Sequence, residues 1–146
     1  LRGTVAPGRP LIPGFVVPGA DRRELLVRVV GPSLAQFGVT STWADPEFSL
    51  VRSGGPNTTL TSPSPYYGDW SAPSRSQSDS TTVLNPTNPA AGFKKIFATV
   101  GAFPLTEGSK DAAAVVGLLP GAYTVVCTAP SGDVGGDAII EVYSLP

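Results

Sequence analysis

Histidine and methionine are absent from this 146-residue sequence, and cysteine occurs once, at Cys127. Without histidine there is no imidazole for general acid–base catalysis or for holding a metal ion. A single cysteine excludes a disulfide within the chain and a cysteine-rich zinc site. We therefore expect a protein that is not an enzyme and that binds neither a cofactor nor a metal.

Charged residues are also scarce. They make up 14% of the sequence, against about 25% in an average soluble domain. The 10 basic residues nearly balance the 11 acidic ones, so no basic field attracts nucleic acid or anionic lipid. Glycine or proline interrupts every apolar run well before the roughly 18–20 residues of a membrane span. We expect neither nucleic-acid binding nor membrane insertion.

Composition also indicates where the protein works. A chain rich in Ser, Thr, Pro and Gly, with few Lys and Glu, is typical of secreted bacterial modules. Its start at Leu1, without a charged-then-apolar signal sequence, fits a processed mature product or a fragment. Asn57 opens a glycosylation sequon, which adds weak support for export. Cys127 lies in an apolar run and is either a buried thiol or the site of an intermolecular disulfide. We expect an extracellular or cell-surface location.

Breakers and short apolar runs dominate the pattern of the chain. The 17 glycines and 16 prolines leave little room for long helices. Turn signals recur every 8–12 residues, and those between the last three strands lie at hairpin distances. We predict an all-β Greek-key sandwich of the immunoglobulin-like or jelly-roll-like kind, as one domain over residues 1–146. The strand candidates are 11–17 (broken at Pro13-Gly14), 24–30, 48–52, 58–61, 81–84, 111–119, 122–129 and 137–145.

Three segments depart from plain strand-and-turn organisation. Residues 1–20 hold four prolines and form an extended N-terminal arm or first strand. Residues 53–92 form a loop-rich insertion, longer than a routine connection needs. The spacing of Phe93, Ile96, Phe97, Val100 and Phe103 predicts one short helix over 90–101, covering an open end of the core.

A turn followed by Gly-Ala-Tyr heads the strand that contains Tyr123. In Greek-key sandwiches a tyrosine in this position forms a tyrosine corner, its hydroxyl bonding back to the preceding connection. We therefore assign Tyr123 a structural role.

Five landmarks, taken together, resemble a secreted bacterial β-sandwich surface module. Such modules occur singly or at the ends of long extracellular proteins of Verrucomicrobia-like environmental bacteria. The resemblance implies an extracellular location and a sandwich fold, but it implies no particular biochemical activity. This chain departs from the pattern in the Pro/Ser/Thr-rich stretch around 57–80. The landmarks are Arg2-Gly-x-Val5 with 11–17; Leu26-Val-Arg-Val-Val-Gly-Pro-Ser-Leu34; Asp45-Pro46 with Gly68-Asp-Trp70; 101–105 with Gly108-Ser-Lys-Asp-Ala-Ala113; and 119–125 with Ile140-Glu-Val-Tyr143.

The sequence contains partial motifs for two kinds of site, a serine nucleophile and a calcium site. A serine nucleophile would need a lysine base here, and the adjacent pair Ser109-Lys110 leads into a strand, where neighbours point to opposite faces. Calcium uses loop oxygens, but the available acids reproduce no spaced calcium loop, and aspartate is common in turns for local reasons. We predict no metal site. The acids considered are Asp45, Glu47, Asp69, Asp133 and Asp137.

Tyr66, Tyr67 and Trp70 lie together in the polar insertion and could stack on sugar rings. The alternative is that Trp70 plugs the edge of the sandwich and the tyrosines shield it. A carbohydrate-binding or adhesion module, with a polysaccharide partner, is our second hypothesis for function.

The apolar N-terminal arm supports the first hypothesis. It can pair with its own sheet or with the exposed edge of a neighbour. Repeated head to tail, the second arrangement does not close, so it builds a homopolymer. We hypothesise a self-assembling subunit of a surface filament or sheath, with the arm and the last strand in contact. The expected contact residues are Leu11, Ile12, Phe15, Val16, Val17, Ile139, Ile140 and Val142.

Overall fold

Short β-strands account for most of the regular structure. The computed structural model describes residues 1–53, 70, 81–83 (backbone) and 86–146. The elements in chain order are β1 (Arg2–Val5), β2 (Gly14–Val17), β3 (Arg23–Val30), a 3₁₀ helix (Pro32–Phe37), β4 (Ser49–Ser53), β5 (Thr81–Val83), α1 (Pro89–Val100), β6 (Ala112–Leu118), β7 (Gly121–Val126) and β8 (Gly136–Ser144).

Within the described part of the chain, the strands form two antiparallel sheets. One has the order β1-β8-β3-β6-β5 and the other the order β2-β7-β4. Their facing sides enclose a core that includes Val27, Phe48, Val116 and Val125. The prediction of a mostly β, sandwich-like fold with one short helix is confirmed.

Helix α1 lies on the outer side of the larger sheet, where Phe93 and Phe97 form a second core with Leu26 and Val115. We expected the helix at an open end of the sandwich, and that placement is wrong. Six of the eight residues of β3 and all of β6 are buried, so both faces of the larger sheet need an apolar cover. The predicted bounds, 90–101, are confirmed to within a residue.

Local signals explain where α1 begins and ends. The Asn88 side chain accepts a hydrogen bond from the Ala91 amide, and Pro89 occupies the first turn, where its missing N–H costs nothing. Gly101 ends the helix in the left-handed conformation, which glycine adopts without strain.

The last three strands do not form the hairpins that their spacing predicted. β6 pairs with β3 and β5, whereas β7 pairs with β2 and β4, so the turn at Pro120-Gly121 is a corner between sheets. β8 then returns to the larger sheet. Because both edges of β6 and of β7 are already occupied, neither strand can pair with its neighbour in sequence.

Most strand predictions match observed strands, with two exceptions. β1 was missed as a strand. The candidate 58–61 lies outside the described residues. Leu11 forms an isolated bridge with Cys127, so the arm follows β7 on both sides of the predicted break at Pro13-Gly14.

Candidate functional site

The two ends of the chain meet at one edge of the larger sheet. β1 pairs with β8 in antiparallel register, from Arg2 opposite Ile139 to Val5 opposite Gly136. The Leu1 amino group donates to the Ile140 carbonyl at 2.8 Å, and the Ile140 amide donates back to the Leu1 carbonyl at 2.7 Å. The two segments expected at contacts between copies therefore pair within one chain, which is the alternative considered for the arm, a strand of its own sheet.

Glycines make this pairing close. A Cβ on Gly135 would lie 2.0 Å from the Val5 carbonyl oxygen, and Gly135 has φ of +74°, a conformation that favours glycine. A Cβ on Gly3 would lie 2.7 Å from the Leu11 side chain. Thr4 adds a hydrogen bond of 2.5 Å from its hydroxyl to the Asp137 carboxylate. Close approach of the backbones therefore fixes the position of β1 beside β8 as much as side-chain contacts do.

The eight predicted contact residues divide into inward and outward sets. Val17 and Ile140 are buried in the chain's own core, and Leu11 and Phe15 pack against it. Those four side chains are not free to contact a neighbour. Ile139 packs against the second core, beneath α1. The exposed members are Ile12, Val16 and Val142.

A shallow groove of about 370 Å³ joins the two exposed regions. It runs between β2 and the end of β8, with Phe15 and Val16 of β2 on one side. Leu25 of β3 and Val142 of β8, which belong to paired strands of the larger sheet, lie on the other side. Among the described strands, none continues the β1 row beside β8 beyond Ile140. The edge of β8 beside the groove is therefore open.

Trp70 takes no part in the predicted sugar platform. Its side chain is 1% exposed, with the ring centre 6.0 Å from that of Phe97. Its indole N–H donates to the Ser109 hydroxyl at 3.2 Å. Trp70 is a buried anchor and is closed to stacking on a ligand. Tyr66, Tyr67, Asn57 and Asp69 lie outside the described residues.

Asp111 is the centre of a buried hydrogen-bond network that the sequence did not reveal. Its carboxylate accepts from the Gly31 amide at 2.8 Å, from the Ser33 amide and hydroxyl, and from the Ser109 hydroxyl at 2.5 Å. Its own carbonyl accepts from the Trp70 amide. A fully buried carboxylate is tolerated because donors surround it. The network ties three connections to the head of β6.

The side chains of Ser109 and Lys110 form separate contacts, and that of Ser109 belongs to the same network. The Ser109 hydroxyl bonds to Asp111, whereas the Lys110 ammonium forms an exposed ion pair of 2.7 Å with Asp45. The two side chains serve different structural contacts.

Arg28, in the middle of β3, is fully buried beneath α1. Its Nε bonds to Glu141 Oε2 at 2.5 Å, and Nη1 donates to the Phe103 carbonyl at 2.7 Å. The guanidinium lies over the rings of Phe103, Phe97 and Tyr143, at 4.3 to 5.8 Å. Nη2 has no hydrogen-bond partner in the described part of the chain. The signal in the sequence was a lone charge in an apolar strand.

Tyr123 forms the predicted tyrosine corner. Its hydroxyl donates to the Leu119 carbonyl at 2.6 Å, and burial raises its pKa above 10, against the opposing effect of Arg52 and Arg22. Arg52 donates to the Pro120 carbonyl, and Arg22 donates to the Gly117 carbonyl. Three side chains therefore hold the corner between the sheets.

The acidic residues considered for calcium lie in different environments. Hydrogen bonds from Thr4 and Ser41 lower the pKa of the exposed Asp137. Desolvation, with repulsion from Asp45 and Asp133, raises the pKa of Glu47. Among the described residues, no three His, Cys, Asp or Glu side chains are grouped so that they could hold a metal ion.

Two further observations bear on partners. Cys127 is buried, and burial raises the pKa of its thiol to about 12, so the buried-thiol interpretation fits. Of the helices that the structure describes, none combines the length and apolar character needed to span a membrane.

A comparison with protein-family models, with curated proteins and with solved structures finds no significant match to this chain.

Proposed function

We propose that this protein is an extracellular structural subunit that self-assembles head to tail, with β1 of each copy adding to β8 of the next. The observation that carries the proposal is the pairing of Arg2–Val5 with β8. This contact joins the first and last strands, so either can be supplied by another chain without a new interface.

The connection between β1 and β2 is suited to such an exchange. A turn from Ala6 to Arg9 is closed by two backbone hydrogen bonds, of 3.2 and 2.8 Å. Opening this turn costs those bonds, while every contact between β1 and β8 forms again between two chains. An exchange of identical elements is a low-cost route to association.

The exchange builds a polymer when each copy donates β1 to the next copy and does not swap strands with a single partner. Such one-way donation is a heterologous contact, which builds a filament when the rotation does not close. A net charge of -1 produces little repulsion between copies. The proposed unit is a Greek-key sandwich, supported by the pairing of β3 with β6 and β8, which are remote in sequence.

The location and the kind of protein belong to the same proposal. Low charge, abundant Ser, Thr, Pro and Gly, and the resemblance to secreted bacterial surface modules support an extracellular role. The absence of histidine from the sequence supports a role that is structural rather than enzymatic. Carbohydrate binding has no comparable support, because Trp70 is buried.

A cross-linking experiment between two different chains tests the exchange. Thr4 and Asp137 face each other in the register. They lie three positions along the ladder from Leu1 and Ile140, which form a hydrogen-bonded pair. Because the two kinds of pair alternate, Thr4 and Asp137 form a close, non-hydrogen-bonded pair that suits a disulfide. Separately purified Thr4→Cys and Asp137→Cys proteins are mixed, concentrated and mildly oxidised. We expect a disulfide between positions 4 and 137 of two chains, identified by peptide mass spectrometry.

The control replaces Asp137→Cys with Ser131→Cys, an exposed position in the connection before β8. Buried Cys127 takes no part in either mixture. Cross-linking no greater than in the control, together with a monomer in size-exclusion chromatography and no filaments in negative-stain electron microscopy, would refute the proposed assembly.

A further inference from the structure

The two sheets leave a gap on one side of the sandwich, which we call the open seam. It is the groove of about 370 Å³ between β2 and the end of β8. β2 is the edge strand of the smaller sheet, and β1 ends beside Ile140 of β8. Among the described strands, none fills the space between these two edges.

The backbone of β8 has unpaired groups along the open seam. Leu1 and Ile140 form a hydrogen-bonded pair on the β1 side, and the two kinds of pair alternate along an antiparallel ladder. The N–H and C=O groups of Val142 and Ser144 therefore point to that side, beyond the end of β1. The amide of Leu145 donates to β3 on the opposite side, which agrees with this alternation.

The edge of β2 is open in the same way. The Val125 amide of β7 donates to the Pro13 carbonyl, and Leu11 exchanges two hydrogen bonds with Cys127. Val16 lies an odd number of positions from both residues of the arm, so its N–H and C=O groups point away from β7. Unpaired backbone groups of two strands therefore border the open seam.

An extended polypeptide is the ligand that these groups fit. Val142 and Ser144 repeat an N–H and a C=O after two residues, or about 6.6 Å. An extended chain repeats the complementary groups at the same interval, whereas a lipid or a sugar does not. In strand addition, main-chain hydrogen bonds give affinity, and pockets for alternate side chains give specificity. Phe15 and Leu25 line the groove beside Val142, so the side chains received there are apolar.

One end of the open seam carries a positive charge. The Arg23 side chain lines the groove, and one of its guanidinium nitrogens lies 3.9 Å from a Cβ built on Gly19, just after β2. Within the described part of the chain, Arg23 forms no ion pair. Glu24 lines a separate cavity beside α1. The cation at this end of the seam is therefore complementary to a carboxylate of the ligand.

We propose that the open seam binds an extended segment of a partner protein, which continues the row of β1 beside β8. The segment has apolar side chains at alternate positions and a carboxylate at the end that meets Arg23. This site does not depend on the head-to-tail assembly, because β1 ends before Val142 whether it comes from the same chain or from another. It allows a single subunit or a filament to hold a second kind of protein.

Peptide binding to variants of the β8 edge tests the site. The probe is a pool of fluorescent hexapeptides that alternate threonine with valine, isoleucine, leucine or phenylalanine and end in glutamate. Ser144→Pro removes the N–H that points into the seam and leaves the bonds to β3 in place. The control, Ser144→Ala, keeps that N–H. By fluorescence anisotropy, we expect Ser144→Pro to bind the pool about tenfold more weakly than the wild type, and Ser144→Ala to bind it equally well.

A charge reversal tests the end of the seam. Arg23→Glu should weaken binding of the pool about tenfold, because a like charge then meets the glutamate. A second pool that ends in lysine should bind Arg23→Glu better than it binds the wild type. Arg9→Glu is the matched control, since Arg9 is exposed in the turn between β1 and β2, and it should bind as the wild type does. Thermal unfolding checks that each variant is folded.

Hydrogen exchange should locate the bound peptide. We expect the pool to slow exchange of the Val142 and Ser144 amides and to leave that of Ile140, which already bonds to Leu1, unchanged. Equal binding to the wild type and to Ser144→Pro would overturn the inference. So would the absence of binding up to about 1 mM, or binding of laurate in place of the peptides.

The proposed assembly and this site fail separately. Peptide binding without a disulfide between positions 4 and 137 of two chains would overturn the head-to-tail assembly and leave the open seam as a binding site. The disulfide without peptide binding would overturn the binding site and leave the assembly standing.

Discussion

Arg28 of β3 and Glu141 of β8 face each other across the register and form an ion pair of 2.5 Å beneath helix α1. The guanidinium is fully buried, whereas the carboxylate side chain keeps 20% exposure. The pair links the strand that accepts β1 to the centre of the larger sheet.

Removing the Glu141 side chain alone should lower the free energy of unfolding far more than replacing both Arg28 and Glu141 with apolar residues. Glu141→Ala leaves a buried guanidinium without its carboxylate, and we expect a loss of about 3–5 kcal/mol in the free energy of unfolding. The double variant Arg28→Met/Glu141→Leu should lie close to the wild type, because replacing a buried pair with apolar residues is often neutral. Urea unfolding measures both. Equal losses in the two variants would contradict the interpretation.

Asp111 should be among the most sensitive positions in the chain. Asp111→Ala leaves the amides of Gly31 and Ser33 and the Ser109 hydroxyl without an acceptor, at about 1–3 kcal/mol for each buried group. We expect a loss of several kcal/mol and a red shift of tryptophan emission as Trp70 loosens. Ser109→Ala is the control and should cost less, about 1 kcal/mol. Similar stability of the two variants would argue against Asp111 as the centre of the network.

Tyr123→Phe should reduce stability by about 1–3 kcal/mol, because the Leu119 carbonyl loses its donor inside the corner. Tyr143→Phe removes the same atom from a half-exposed ring whose partner is Glu141, and it should cost less. Thermal unfolding of the two variants gives the comparison. A Tyr123→Phe protein as stable as the wild type would show that the corner needs no hydroxyl.

Two carboxyl groups should make opposite contributions as pH falls. The folded pKa of Asp137 lies below its ordinary value of 3.8, because of hydrogen bonds from Thr4 and Ser41. Its stabilisation is therefore present at neutral pH and is lost as pH falls through the folded pKa. We expect Asp137→Asn to be destabilised at neutral pH, with the difference from wild type shrinking in acid.

For Glu47 the folded pKa lies above 4.5, chiefly because of desolvation. The folded state then binds the proton more tightly, so Glu47 weakens folding as pH rises through that pKa. Glu47→Gln should be more stable than wild type at neutral pH, with the advantage fading in acid. Urea unfolding midpoints of Asp137→Asn and Glu47→Gln, measured against the wild type from neutral to acid pH, test both predictions. If both variants were more stable than the wild type at neutral pH, or both less stable, the assigned directions of the two pKa shifts would be contradicted.

Local patterns in the sequence were enough for several parts of the fold. Helix α1 followed from the spacing of apolar residues such as Phe93 and Phe97, which acts within a few residues. The strand at 24–30 followed from its β-branched run, and the corner role of Tyr123 followed from the turn before it. These features depend on neighbouring residues, so the order of residue types is sufficient to predict them.

Contacts between remote residues were decided by the tertiary structure. The sequence determined that the chain is mostly β, low in charge and without histidine, and it left open whether the arm pairs with its own sheet or with that of a neighbour. The tertiary structure alone decided that β6 and β7 separate into two sheets, that Trp70 is buried under α1, and that Asp111 and Arg28 hold remote segments together. It also decided that Val16 points outward while Val17 points inward. The reason is physical: strand pairing and burial depend on which segments meet in space, and residues about 80 to 140 positions apart carry no mutual signal in a single sequence.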